Sequence, residues 1–97
     1  MPAYELLFIV QPNLDEEGLN ALVARIQQVI TDNQGQIIKV EQMGRRKLAY
    51  PLKKQREGIY VLIQAGLERV AMAELERALK LSEDVLRYML LRLDETA

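Results

Sequence analysis

The stretch that decides the fold is the middle of the chain, residues 36–65, QIIKVEQMGRRKLAYPLKKQREGIYVLIQA. Residues 36–43 and 59–65 are rich in β-branched, aromatic and other apolar residues, which is typical of strands. Gly44 predicts a bulge or a bend at the end of the first run. The charged residues 52–57 predict an exposed hairpin loop. The stretch therefore predicts two consecutive strands with no helix between them.

A strand and a helix flank this hairpin on each side. Residues 4–10 are nearly continuously apolar and predict a central strand. Apolar residues then recur at spacings of three and four, which predicts an amphipathic helix with Asp15 as its N-cap and a left-handed C-terminal residue at Gly35. Beyond the hairpin, residues 68–80 predict a second helix and residues 85–93 a last strand.

The resulting order is β-α-β-β-α-β. Right-handed crossovers convert this order into a ferredoxin-like α+β sandwich, a four-stranded antiparallel sheet with two helices on one face. The 97 residues suit a single domain, 1–97, and are too few for two. Because this fold supports many functions, the function has to be argued from particular residues.

The composition excludes several kinds of chemistry. The chain has no histidine and no cysteine, which removes imidazole catalysis and the usual zinc ligands. Its one serine, Ser82, lies in a polar turn, so nucleophilic catalysis has almost no candidate. Catalysis by a carboxylate or a lysine stays open on composition alone, and we expect no cofactor and no metal. No apolar run approaches the length of a membrane span, so we expect a cytoplasmic protein that does not contact a membrane.

The sheet face opposite the helices is predicted to be unusually apolar. A sheet with one wet face should alternate apolar and polar residues, yet alternation leaves six apolar residues uncovered. We expect them to form a protein-partner face: Leu7, Ile9, Val61, Ile63, Met89 and Leu91. One alternative is that these are the few apolar residues that any protein surface exposes. The other is an alternation displaced by one residue, which would exchange the two faces. The same count places Phe8, Tyr60 and Tyr88 under the helices, which argues against base stacking of the kind used by RNA-recognition motifs.

Basic residues surround the predicted bend. They are Arg45, Arg46, Lys47, Lys53, Lys54 and Arg56. Arginine side chains suit phosphate geometry, so this segment could form one cationic edge for RNA. It could equally be a solvated bend whose charges discourage edge-to-edge strand pairing. Residues 48–50 either continue the strand or end it before Pro51, which lacks a ladder donor.

Residues 44–51, GRRKLAYP, resemble the signature of the bacterial small-subunit ribosomal protein family numbered six. The likeness extends through nearly the whole chain, including residues 4–14, 58–61 and 83–87. The resemblance implies a non-enzymatic component of the bacterial small ribosomal subunit, located in the cytoplasm within the ribosome. It implies binding to the central domain of small-subunit ribosomal RNA during platform assembly, together with the small-subunit protein numbered eighteen packed on the sheet. The residues it assigns to RNA binding are Arg45, Arg46, Lys47, Arg87 and Arg92.

Two other classes of protein share the predicted fold. One is a homodimeric ferredoxin-like domain that uses its uncovered face to close a pocket for a small ligand or a reaction. The lack of histidine and cysteine argues against it. The other is a small-molecule regulatory domain, which normally accompanies a larger catalytic chain.

Overall fold

The structure, a computed structural model, describes residues 1–93. Its elements follow the predicted order and form one antiparallel sheet with strand order β2-β3-β1-β4, covered on one face by both helices. Neither helix has the length and hydrophobicity that a membrane crossing requires within the described part of the chain. The elements are β1 (Ala3–Val10), α1 (Glu16–Asp32), β2 (Gln36–Leu52), β3 (Gln55–Gly66), α2 (Arg69–Leu81) and β4 (Val85–Arg92).

Helix α1 begins where the sequence predicts, and the left-handed residue that follows the helix lies one position earlier than predicted. The carboxylate of Asp15 accepts a hydrogen bond from the backbone N–H of Gly18 at 2.8 Å, which confirms the predicted N-cap. The left-handed residue after the helix is Gln34, with φ 63°, so the prediction of Gly35 there is wrong. Gly35 is required for space instead, because a Cβ there would lie 2.5 Å from Cγ2 of Ile30.

The hairpin of β2 and β3 is longer than predicted. Strand β2 continues through Pro51, and β3 begins at Gln55, so the predicted loop at 52–57 is mostly strand. The turn itself consists of Lys53 and Lys54, both with positive φ, as two-residue hairpin turns require. Gly44 has φ 88° and lies where the register with β3 shifts, which confirms the predicted bulge.

The alternation of β1 is as predicted, and so is that of β4 from Arg87 onward, whereas that of β3 is reversed. Val85, predicted on the uncovered face, is buried instead, because the register shift between Ile9 and Val10 pairs it with Val10 in the core. Val61 is 0% exposed and Ile63 is 1% exposed, so the prediction that they lie on the uncovered face is wrong. The reason is their pairing: Val61 lies directly opposite Phe8, and Ile63 opposite Leu6, both of which are buried under the helices. Directly opposed residues share a face, so both join the core.

The reversal moves Leu62 and Tyr60 to the uncovered face, where neither was expected. They lie opposite Leu7 and Ile9, which point away from the helices. Phe8 and Tyr88 do lie on the helix-covered side, as predicted; Tyr88 donates a hydrogen bond to Glu76 of α2 at 3.0 Å. We refer to the uncovered side of the sheet as the open face.

Candidate RNA and protein interfaces

The open face has an apolar half. Leu7 of β1 is flanked directly by Leu62 of β3 and Met89 of β4. Met89 is 46% exposed and Leu91, two residues along the same strand, is 51% exposed. Ile9 and Tyr60, which pair with each other across β1 and β3, adjoin these residues. We refer to the six residues together as the open-face cluster: Leu7, Ile9, Tyr60, Leu62, Met89 and Leu91.

The other half of the open face is polar. Gln64 donates a hydrogen bond to the carboxylate of Glu5 at 3.1 Å across the β1–β3 pair. On β2, Lys39 and Glu41 form an ion pair at 3.3 Å. The apolar surface is therefore bordered by polar side chains, since Glu5 pairs with Leu91 and Glu41 pairs with Leu62, rather than spread over the whole face.

The end of the hairpin, residues 45–57, bends across the open face toward β4. We refer to these residues as the hairpin arm. The hydroxyl of Tyr50 accepts a hydrogen bond from Nη1 of Arg87, and Nζ of Lys53 donates to the backbone carbonyl of Val85 at 3.3 Å. Because β2 and β4 are the two opposite edges of the sheet, these contacts require the arm to pass over the end of β1.

Gly58 allows the arm to lie this close to the sheet. A Cβ at Gly58 would lie 2.3 Å from Cγ2 of Ile9, a distance that a real Cβ contact does not reach, and 3.6 Å from Leu48. A cleft of about 300 Å³ remains between the arm and the sheet, and its lining includes Leu48, Tyr60 and Met89. The arm thus covers one end of the open-face cluster and leaves the rest exposed.

The three consecutive cations of the arm occupy three different environments. Arg45 donates from Nη2 to the carbonyl of Pro12 at 3.0 Å. The guanidinium carbon of Arg46 lies 5.8 Å from the centroid of the Tyr60 ring, within the range of a cation–π interaction. Lys47 is exposed and forms no ion pair within residues 1–93. The structure therefore brings the three predicted RNA-binding residues to one arm but orients them differently.

Of the two predicted cations on β4, the structure brings one to the arm. Arg87 contacts Tyr50 on the open-face side. Arg92 pairs with Tyr4 at the far end of the strand, five residues from Arg87, or about 17 Å at the usual rise per residue. An odd number of positions also places Arg92 on the opposite side of the sheet, beside Arg69 at the start of α2. Arg92 therefore does not contribute to the surface formed by the arm.

Charge is strongly segregated along the chain. The arm contains six of the 13 cations and one of the 14 acidic residues, a net charge of +5, which leaves −6 for the remainder. Local concentrations of positive charge of this kind attract polyanions even where the total charge is near zero. Within residues 1–93, no group of three metal-ligating side chains could hold a metal ion.

The chain is similar to a known protein family over nearly its whole length. The sequence profile of the family described as "Ribosomal protein S6" matches residues 3–92. The chain belongs to the ribosomal protein S6 family. The small ribosomal subunit protein bS6 of Moorella thermoacetica is 43% identical over 97 residues, which cover 100% of this chain and 99% of that protein. That of Exiguobacterium sibiricum is 44% identical over 90 residues, covering 93% and 95%.

Solved structures agree with this assignment. The crystal structure of 30S ribosomal protein S6 from Thermotoga maritima matches with a TM-score of 0.90 at 36% identity, covering 95% of this chain and 87% of that one. The C-terminal domain of the MgtC protein from Mycobacterium tuberculosis matches with a TM-score of 0.65 at 15% identity, covering 97% and 89%. The second likeness concerns the fold alone.

Membership of the S6 family confirms the resemblance inferred from residues 44–51. It makes the chain a structural protein of the bacterial small ribosomal subunit rather than an enzyme, and it places the protein in the ribosome, in the cytoplasm. The ferredoxin-like sandwich is confirmed by the S6 structure.

Sequence reasoning missed Leu62, Tyr60 and Tyr50 as surface residues near the basic segment. A signal for the first two was present in Gln64, which shares their parity on β3. An amide is placed at lower cost on a wet face than under the helices, so Gln64 favours the observed alternation. Tyr50 had no such signal, because its position depends on how the arm bends.

Proposed function

We propose that this S6-family protein binds the central domain of small-subunit ribosomal RNA through its hairpin arm and Arg87. We propose further that it docks the small-subunit protein numbered eighteen on the open-face cluster during assembly of the platform. One observation carries the proposal: an arm with a net charge of +5 leans over the end of an exposed apolar surface. Two different binding chemistries are thus adjacent on one small protein.

The RNA part of the proposal rests on the exposure and availability of the cations. Lys47, Lys54 and Arg56 are exposed, and none of their side chains makes a hydrogen bond or an ion pair within residues 1–93. Arg45 uses only one guanidinium nitrogen in its contact with Pro12, so its other N–H groups remain free to bind phosphate. Each phosphate that such a group neutralises releases counterions and strengthens binding in a salt-dependent way.

The protein part rests on the open-face cluster. Met89 and Leu91 are about half exposed beside Leu7 and Leu62, and contiguous apolar surface of this kind marks sites of protein association. The remainder of the chain outside the arm carries −6, which favours a basic partner over an acidic one. A basic partner would also add cations to those of the arm on the RNA.

The RNA contact is tested with the double variant Arg45→Glu/Arg46→Glu. Binding to a central-domain transcript is measured at several salt concentrations with the protein numbered eighteen at saturation. The affinity should fall, and the slope of log K against log salt should become shallower by about 1.4–1.8, because two phosphate contacts are lost at about 0.7–0.9 each. The control, Arg25→Glu/Arg77→Glu, makes the same change in net charge on the exposed surface of the helices. Equal affinity and slope in both variants would contradict the proposed contact.

The protein contact is tested with Met89→Asp. A charge on the exposed rim of the open-face cluster should weaken the complex with the protein numbered eighteen, while circular dichroism and thermal unfolding show that the free protein stays folded. Val70→Asp is the matched control, because Val70 is also exposed and apolar but lies on α2. A complex of undiminished affinity with Met89→Asp would place the partner elsewhere.

A further inference from the structure

The hairpin arm contains a groove between residues 48–51 and Arg56. The β2–β3 ladder pairs Lys47 with Glu57 and next pairs Leu52 with Gln55, so residues 48–51 lie opposite Arg56 alone. Because four residues of β2 lie opposite one residue of β3, this part of β2 must curve away from β3. The result is a groove of about 480 Å³, a volume in the range of small-molecule sites, and Lys47, Tyr50, Pro51 and Arg56 are among the residues that line it.

We propose that this groove holds one unpaired base of the bound RNA, stacked on the ring of Tyr50, with Lys47 and Arg56 contacting the flanking phosphates. The proposal rests on the RNA-binding function proposed above and specifies one contact within it. It assigns to Tyr50 a role that the cations cannot perform, since they recognise the backbone and a planar ring recognises a base.

Tyr50 is both exposed and held in place. It is 56% exposed, although it is an aromatic residue in a strand. Its hydroxyl accepts a hydrogen bond from Arg87, which anchors the ring at one end. The following residue, Pro51, fixes its own backbone φ. A ring that is fixed before binding loses little freedom when a base stacks on it, and base–aromatic stacking tolerates any base.

The charges at the groove favour RNA over a protein as its occupant. Lys47 and Arg56 line it, and their side chains make no hydrogen bond or ion pair inside the described chain. Lys54 lies at the neighbouring turn, and Glu57, the one acidic residue of the arm, also lines the groove, which leaves two cations against one acid. A base held in a duplex would not be accessible to Tyr50, because bases in A-form RNA remain stacked and their deep groove is narrow. The expected occupant is therefore a base in a bulge, a loop or a single strand.

The earlier expectation against base stacking considered other aromatic residues. Phe8 and Tyr88 are indeed on the helix-covered side, and Tyr60 lies beneath Arg46 on the open face. Tyr50 belongs to the arm rather than to the flat part of the sheet. The stacking surface proposed here is therefore unlike the sheet surface of an RNA-recognition motif.

The test uses Tyr50→Leu with the partner protein numbered eighteen at saturation and a central-domain transcript as the RNA. The affinity should fall about 5- to 150-fold, which corresponds to the roughly 1–3 kcal/mol of one stacked base. The slope of log K against log salt should stay the same, because no phosphate contact is removed. Tyr50→Phe retains the ring and loses only the bond to Arg87, so it should bind closer to the original protein.

Three outcomes would overturn the proposal. Unchanged affinity in Tyr50→Leu, while Arg45→Glu/Arg46→Glu still weakens binding, would remove the stacking role and leave the proposed function intact. A shallower salt slope in Tyr50→Leu would mean that Tyr50 only positions Arg87. Weaker binding of the partner protein, measured by calorimetry without RNA, would assign Tyr50 to the protein interface instead.

A direct readout of stacking is available because the chain contains four tyrosines and no tryptophan. Single-stranded oligo(A) should quench the tyrosine fluorescence of the protein, and Tyr50→Leu should lose that quenching. Equal quenching of both proteins relative to their starting intensity would also contradict the proposal.

Discussion

Val61 and Leu62 are adjacent residues of β3 that face opposite sides of the sheet, and their substitution by alanine should have opposite consequences. Val61 is 0% exposed and lies opposite Phe8 in the core. Val61→Ala removes two methyl-sized groups, about 1.6 kcal/mol at about 0.8 kcal/mol each. The cavity left behind raises the loss in free energy of unfolding to about 2–3 kcal/mol. For a chain of this size, that lowers the melting temperature by about 10–20 °C.

Leu62 lies on the open face opposite Leu7, within the open-face cluster. Leu62→Ala removes a larger side chain, yet it should cost less than about 1 kcal/mol of stability, because the residue remains partly hydrated in the folded protein. It should instead weaken the complex with the protein numbered eighteen, whereas Val61→Ala should leave the affinity of the folded protein nearly unchanged.

Urea denaturation followed by circular dichroism measures the stability of both variants, and calorimetric titration at low temperature measures partner binding by the folded protein. Val61→Ala should alter stability and leave binding nearly unchanged, and Leu62→Ala should do the reverse. If Leu62→Ala were the less stable variant and Val61→Ala the weaker binder, the observed alternation of β3 would be refuted. That result would restore the alternation first expected from the sequence.

Three further changes test local features of the fold. Gly58→Ala should cost about 1–3 kcal/mol in urea denaturation, because its Cβ would lie 2.3 Å from Cγ2 of Ile9 and force the arm outward. Asp15→Ala should cost about 1 kcal/mol in the same assay through loss of the N-cap of α1, and Asp15→Asn much less. Partial burial and the hydrogen bond to Glu76 raise the pKa of Tyr88 above its usual value of 10.0. The stability that this shift provides is present below about pH 10 and is lost as pH rises through the higher folded pKa, so the stabilities of the original protein and Tyr88→Phe should draw closer above about pH 10.

The order of elements could be predicted because each helix and strand carries its own local signal. The spacing of apolar residues in α1 and the acceptor side chain of Asp15 are visible in the sequence, and the structure places both as expected. Helix α2 has no such cap, since Glu68 makes no side-chain capping bond, and its predicted start was one residue early. The start of a helix could therefore be predicted where a capping residue marks it.

Strand faces depend on partners that are distant in sequence. In β3 both alternating sets are largely apolar, so hydrophobicity alone could not determine which set lies under the helices. The pairing with β1 determines it, and that pairing is a property of the folded sheet. Counting outward from the turn at Lys53 and Lys54 does not help, because irregularities in β2 near residues 48–51 and Gly44 each shift the register.

The basic segment was found from the sequence, but its internal organisation was not. The bulge at Gly44 places Arg46 opposite Gly58 on the open-face side, over Tyr60, and sends Arg45 toward Pro12. Three adjacent cations that look equivalent in the sequence therefore have different neighbours. Which of them contacts which phosphate depends on one glycine with a positive φ.

The net charge of the whole chain does not indicate whether it binds RNA. A total charge of −1 indicates no affinity for RNA, yet the arm carries +5 and the rest of the chain −6. The molecule extends 36 Å along its longest axis, whereas the Debye length at physiological ionic strength is about 8 Å. Acidic residues that lie more than this length from the arm are therefore screened from an RNA that contacts the arm. At about 0.01 M salt the Debye length of about 30 Å becomes comparable with the molecule, and the acidic body then opposes the arm. The local charge of the arm, rather than the total charge, determines binding under physiological conditions.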